Sequence, residues 1–474
     1  MRAARYWSVR HAGVLERGYG AFTRMLSVLG PAARTLGLRR LERPVARVER
    51  LVKGFLFDCS MCGDCALSHN GMACPMNCPK GVRNGPCGGV RADGTCEVRP
   101  EMRCVGLEGW RGASRMRRGR RPVEPAAPAD HRRAGRSTWI ALLEESAPAG
   151  PGSDNARPAS PASALQALLE HGSFAVTAEL SPPDSADPAD VLARLAPFRG
   201  SVDALNVTDA SGANCHTSSL AASVLLREAG CEPILQVTCR DRNRIAIQGD
   251  LLGAATLGIR NVLCLTGDHV GNGDHPGAKH VGDLDSVTLL ATARKMRDAG
   301  EFLSGRKLTC APSLFLGAAG NPFAGGTELR IERLQRKVAA GAQFVQTQYC
   351  FDLEALDDFM RSVRADGLHQ RVHILIGVGP IASAKTARWL RSNVPGVRIP
   401  DAVVQRMESA RDPREEGRRL CIELIRGVRQ IEGVAGVHIM AYRQEAMIGS
   451  IIADSNVLGG RLPLFKASPE PAFA

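Results

Sequence analysis

Aromatic residues make up only 4% of this 474-residue chain, too few to build a stacking platform for nucleic-acid bases. No run approaches the ~20 apolar residues that a membrane-spanning helix needs. The N-terminus has neither an uninterrupted apolar stretch nor a small-residue cleavage site, so a secretory signal is not expected. An oxidising compartment, and with it a disulfide framework, is disfavoured, and a cytoplasmic protein is the expectation. The arginine-rich start would suit an organellar transit peptide, but it carries Glu16, Glu42 and Glu49, and such peptides are poor in acids. Charge of the acidic sign is scarce in one region only. Residues 1–150 hold 26 Lys and Arg against 13 Asp and Glu, whereas the remainder holds 35 of each.

Cysteine is abundant, and eight of the fifteen fall between Cys59 and Cys104. Cys59, Cys62 and Cys65 form a C-x2-C-x2-C array. Cys74 and Cys78 form a C-x3-C followed by proline, and Cys87, Cys96 and Cys104 complete the set. Three thiolates two residues apart and a Cys-Pro arm are the alphabet of a four-iron cubane. Pairs such as Cys59/Cys62 with Cys74/Cys78 would also suit tetrahedral zinc. Eight thiolates leave room for two metal centres. The segment has few apolar residues, so something inorganic is expected to hold it together. The other seven cysteines sit in apolar runs, where packing is the default role.

The chain divides into a basic arm (1–50) of short amphipathic helical segments, the cysteine module (51–110), a tether (111–163) and a large C-terminal unit (164–465). The arm could meet an anionic surface or an acidic partner, or pack on its own cysteine module. The tether contains R-M-R-R-G-R-R-P and a Pro/Ala/Ser run, a composition that predicts disorder. Its arginines lack the aromatic interleaving and the reader fold of a nucleic-acid site.

From residue 165, β-branched runs alternate with helical stretches, the signature of repeated β-α units. Strands are expected at 174–180, 202–208, 233–239, 260–266, 307–316, 343–349, 372–378 and 436–442. Eight such units predict a (β/α)8 TIM barrel in the α/β class. The doubly wound competitor would carry G-x-G-x-x-G after its first strand, and none is present. Polar residues recur at strand ends: Glu179, Thr208 with Asp209, Thr238, Asp268 and Gln348. Barrel strands open their carboxyl ends onto one face, so these residues predict a shared pocket there.

The segments A-E-L-S-P-P (178–183), N-V-T-D (206–209), Q-V-T-C (236–239), the run 251–268 ending in T-G-D, G-A-A-G-N-P (317–322) and R-K-V-A-A-G-A-Q-F-V-Q-T-Q-Y-C-F-D (336–352) resemble methylenetetrahydrofolate reductase. The likeness extends over residues 170–455. The cysteine segment resembles a metal or iron–sulfur module that accompanies these reductases in acetogenic bacteria. The resemblance implies FAD across the top of the barrel and reduction of 5,10-methylenetetrahydrofolate to 5-methyltetrahydrofolate. It implies Glu179 as the general acid, in apolar surroundings that would raise its pKa. It also implies Asp268 beside flavin and folate, Gln348 on the pterin, and Thr208, Thr238, Thr266, Gly267 and Asn321 around the flavin. Arg336 and Lys337 would face the pyrophosphate.

The pattern departs from the family's in places. Gln236 stands where many relatives have histidine, Asn321 where they have tyrosine, and Ala384 where simpler bacterial enzymes have a phenylalanine that holds folate and nicotinamide. The last change weakens NAD(P)H as the direct electron donor and leaves room for a redox partner protein. Oxidation of methyltetrahydrofolate by the same fold, and a docking subunit of an electron-transfer assembly, are the alternative readings. A homo-oligomer is also expected.

Overall fold

The computed structural model describes residues 2–144 and 161–466. Eight parallel strands close into a barrel in chain order. They are β1 (Ala175–Leu180), β2 (Ala204–Val207), β3 (Pro233–Thr238), β4 (Asn261–Leu265), β5 (Phe315–Gly320), β6 (Phe344–Tyr349), β7 (His373–Val378) and β8 (Gly436–Ile439). Helices cover the outside, including Ser286–Asp298 after β4 and Thr327–Ala340 after β5. The (β/α)8 TIM barrel expected from the alternation is the fold.

Seven strands fall on their expected segments, and the fifth does not. Residues 307–314 carry only an isolated bridge between Glu301 and Lys307, and Pro312 has no N–H to give a ladder. The strand begins at Phe315 and runs through small residues that carry little β propensity. Their size is dictated from next door, because a Cβ on Gly317 would stand 2.2 Å from the Phe344 ring.

The period-2 alternation of each strand sorts its side chains. Val176, Ala178, Leu205, Val207 and Leu235 face the helices. Ala175, Ala204, Ile234, Leu263, Phe315, Phe344 and Leu375 fill the lower interior, with Leu165 and Leu169 of the preceding helix packed against them. Two residues further along, the interior turns polar, with Thr177, Asn206, Gln346 and His438 buried. Two residues further again the same faces deliver Glu179, Thr208, Thr238 and Gln348 to the barrel mouth.

Upstream, α1 (Arg2–Arg10), α2 (Ala12–Leu36), α3 (Leu38–Phe57) and α4 (Val105–Ala113) surround the cysteine loops, and α5 (Thr138–Glu144) lies on α2 and α3. These helices run longer than the short segments expected of the arm, and they supply apolar support that the loops lack. Ala12 and Phe57 cluster with Leu67, Met72 and Cys74, and Val9 clusters with Ala73, Met102 and Val105. On α3, Glu49 and Lys53 form a buried ion pair (2.6 Å), and Glu49 also accepts from Ser137 Oγ (2.6 Å) ahead of α5.

The expected tether needs correction. Residues 111–113 finish α4, residues 138–144 form α5, and Arg121 is buried to 1% exposure. Its guanidinium pairs with Glu332 (2.6 Å) on the helix Thr327–Ala340 and donates to the Gly85 carbonyl (2.6 Å). The Pro/Ala/Ser run at 145–160 lies outside the described residues. Among the described residues no helix is long and apolar enough to cross a membrane.

Candidate active site

The cysteine module seats on the C-terminal mouth of the barrel. The backbone N–H groups of Arg83 (2.9 Å) and Asn84 (2.8 Å) donate to Asp285 Oδ2, while Asp285 also caps the helix Ser286–Asp298. Lys80 Nζ donates to the Gly267 carbonyl (3.0 Å) and pairs with Glu97. Arg333 donates to the Cys87 carbonyl (3.2 Å) and Arg336 to that of Pro122 (2.8 Å). Between barrel and module lies a cavity of about 410 Å³.

The eleven barrel residues expected at the pocket from the sequence line this cavity: Glu179, Thr208, Asp209, Thr238, Thr266, Gly267, Asp268, Asn321, Arg336, Lys337 and Gln348. Glu179 stands in polar company rather than the apolar surroundings expected. Gln236 Nε2 donates to its Oε2 (3.2 Å), and His438 Nε2 lies 3.9 Å from the same oxygen. Asp268 is exposed and accepts from the Gly212 N–H (3.0 Å). Gln348 Oε1 accepts from the Tyr349 N–H (2.9 Å), an orientation that points the two N–H donors of the amide away from that bond. Thr238 gives both N–H (2.8 Å) and hydroxyl (3.0 Å) to Asp209, which is also paired to Arg242. Asn321 is committed to its own turn, accepting from Phe323 (3.0 Å) and Ala324 (3.1 Å).

One wall is strongly cationic. Arg333, Arg336 and Lys337 share one face of the helix Thr327–Ala340, and Lys80 comes from the module. Burial brings Lys337 down to about 7, helped by Arg333, and burial with Arg121 nearby brings Arg336 to about 10. Among the described residues Arg336 Nε is buried without a hydrogen bond, and its ion-pair contact is Glu332 Oε1 at 3.5 Å. A guanidinium nitrogen with only a long contact to a carboxylate, beside depressed cations, is a site that gains from an anion.

The eight module cysteines fall into two groups. Cys59, Cys62, Cys65 and Cys74 line one small cavity beside Lys53, whose Nζ lies 3.6 Å from Cys65 Sγ. A hydrogen bond from Cys74 brings Cys59 down to about 6. Cys78 and Cys104 lie near Cys87, and Cys96 lies near Cys104; burial pushes Cys78 and Cys104 up to about 12. Cys87 lines the barrel cavity itself. Among the described residues, no three Cys, His, Asp or Glu side chains converge into a ready cation cage.

Lys80, Arg333, Gln346 and His438 went unnoticed in the sequence. A histidine at an inward position of a strand, in G-V-H-I, was a usable signal. So was Arg333, one helical turn before Arg336 and Lys337. Lys80, in C-P-K, offered none.

A family model described as methylenetetrahydrofolate reductase matches residues 164–456, and one described as methylene-tetrahydrofolate reductase C terminal matches residues 38–132. A probable methylenetetrahydrofolate reductase (NADPH) of Caenorhabditis elegans is 26% identical over 241 residues, which cover 50% of this chain and 34% of that protein. Methylenetetrahydrofolate reductase 2 of Schizosaccharomyces pombe is 24% identical over 260 residues, covering 53% and 40%. The chain thus spans less than half the length of these curated relatives. A solved structure of an uncharacterized protein from Clostridium thermocellum, described as binding two copies of 5-methyl-5,6,7,8-tetrahydrofolic acid, covers 62% of this chain and 100% of its own at 14% identity and a TM-score of 0.42. Since the first family model runs from the helix before β1 to the helix after β8, the chain belongs to the methylenetetrahydrofolate reductase family.

Proposed function

We propose that this chain reduces 5,10-methylenetetrahydrofolate to 5-methyltetrahydrofolate with a bound FAD. The observation that carries the reading is that Glu179, Asp268 and Gln348 open onto one cavity whose far wall is cationic. The donor set suits a flavin dinucleotide: Arg333, Arg336 and Lys337 match a pyrophosphate in charge, and Arg336 Nε, 3.5 Å from Glu332 Oε1 and without a hydrogen bond, can take a closer acceptor. Bound there, the flavin would supply the hydride. Glu179 would give its proton to the folate N10 as the imidazolidine ring opens. Asp268 would stabilise the cation that results, and Gln348 would orient the pterin.

The thiols fit a thiophilic metal in kind, an iron–sulfur cluster or zinc, with Cys59, Cys62, Cys65 and Cys74 as one ligand group and Cys78, Cys87, Cys96 and Cys104 as the other. Such a centre would make a protein an alternative to NAD(P)H as electron donor. Purified anaerobically, the full chain should show a flavin spectrum and stoichiometric iron or zinc. In stopped flow, Glu179→Gln should slow the folate half-reaction by roughly 10²–10⁴-fold and leave flavin reduction by its donor at the wild-type rate. A protein unable to take up flavin, or equal slowing of both halves, would overturn the reading.

A further inference from the structure

Beneath Glu179 a buried polar chain crosses the barrel interior. Asn206 Nδ2 on β2 donates to Gln346 Oε1 on β6 (2.6 Å), and Gln346 Nε2 returns a bond to Asn206 Oδ1 (3.0 Å). The second proton of Gln346 Nε2 goes to Thr177 Oγ1 on β1 (3.1 Å). Thr177 then has one proton of its own to place. Its nearer acceptor is His438 Nδ1 on β8 (3.1 Å), the other being the Val437 carbonyl (3.3 Å) on a strand already paired with β1. An imidazole that accepts at Nδ1 carries its hydrogen on Nε2. That nitrogen faces Glu179 Oε2 at 3.9 Å, and Gln236 Nε2 donates to the same oxygen. Contacts of this kind are long in free enzymes and shorten once substrate is bound.

We propose that His438 is a positioning residue which, held as the Nε2–H tautomer by the Gln346–Thr177 chain, fixes Glu179 Oε2 as an acceptor and leaves the transferable proton on Oε1. The inference rests on the proposed folate reduction. In the step, the Oε1–H bond breaks and the proton passes to the folate nitrogen. The carboxylate left behind is received by two N–H donors already in place. Those donors hold the carboxylate in place as the proton leaves. His438 and Tyr349 face Glu179 from the surrounding strands, the Tyr349 hydroxyl being committed to the Met440 carbonyl (2.8 Å); Asp209, Asp268, Arg240 and Lys337 border the same cavity.

The test compares two amide replacements in the full-length holoenzyme. His438→Gln keeps a donor near the Nε2 position, whereas His438→Asn loses it. His438→Asn should slow the folate half-reaction by about tenfold or more, the worth of one hydrogen bond to a charged group. It should also move the alkaline limb of that half-reaction's pH profile upward, because Glu179 then loses a donor to its conjugate base. His438→Gln should recover most of the rate and the limb. Gln346→Leu, which does not touch Glu179, should shift the limb in the same direction as the Asn variant. Equal loss in both His438 variants with an unmoved limb would overturn the proposal, and so would an unchanged profile in both. A wild-type protein without any folate half-reaction would overturn instead the reading on which the proposal rests.

Discussion

Lys337, brought to about 7 mainly by burial, is divided between amine and ammonium at neutral pH. Its proton therefore reports on whatever anion lies beside it. An anionic cofactor binds the ammonium form and pulls the pKa back up, so binding above pH 7 must be accompanied by proton uptake. Flavin affinity should consequently fall as pH rises above 7, by up to about tenfold per unit until the bound-state pKa is reached. Fluorescence titrations of the apoprotein between pH 6 and 9 would measure the slope, and Lys337→Met should flatten it. A slope that survives the substitution would place the proton elsewhere. Arg336 and Arg333, ionised throughout this range, provide the constant part of the attraction.

Strand β5 shows what a pattern of apolar and polar residues can and cannot reveal. The other seven strands were legible because β-branched residues on one face and polar ends on the other repeat every two positions. Here Gly317, Ala318, Ala319 and Gly320 give no such signal, and the better-looking K-L-T-C-A-P-S-L run is a loop. The reason lies on the neighbouring strand, where Phe344 occupies the space that a side chain at 317 would need. Gly317→Ala should therefore overpack the lower interior and destabilise the barrel by about 1–3 kcal/mol, read as a shift in the denaturation midpoint. An unchanged midpoint would mean that Phe344 can turn aside without cost. The mouth residues were legible for a complementary reason. Glu179, Thr208, Thr238 and Gln348 lie an even number of residues beyond inward-facing Ala175, Ala204, Ile234 and Phe344, so the strand period alone puts them at one end. The polar middle layer was missed because Thr177, Asn206 and His438 each look unremarkable singly, and their meaning lies in bonds between strands.

The union of module and barrel depends on partners far apart in sequence, which no local pattern encodes. Arginines 117, 118, 120 and 121 are the same letter in one basic run, yet Arg121 alone is buried at the centre of the interface. It spans Glu332 on the barrel and the carbonyl of Gly85 in the module, so it ties the cysteine loops to the helix that also bears Arg333, Arg336 and Lys337. The module in turn supplies Lys80, Asn84, Cys87 and Glu97 to the cavity wall. A barrel stripped of the module would keep Glu179, Asp268 and Gln348 but would open one side of that cavity to solvent. Arg121→Met tests this dependence without deleting anything. It leaves Glu332 buried with Arg336 Nε, 3.5 Å away, as its remaining cationic neighbour, so the loss should reach at most that of breaking a buried pair, about 3–5 kcal/mol. Chemical denaturation of the full chain should show that loss, and limited proteolysis should cut residues 114–137 first. Flavin should bind more weakly in step with the loosened module. Wild-type flavin affinity in an Arg121→Met protein whose module is demonstrably detached would show that the barrel holds the cofactor alone, and that the module's role lies only in its thiols.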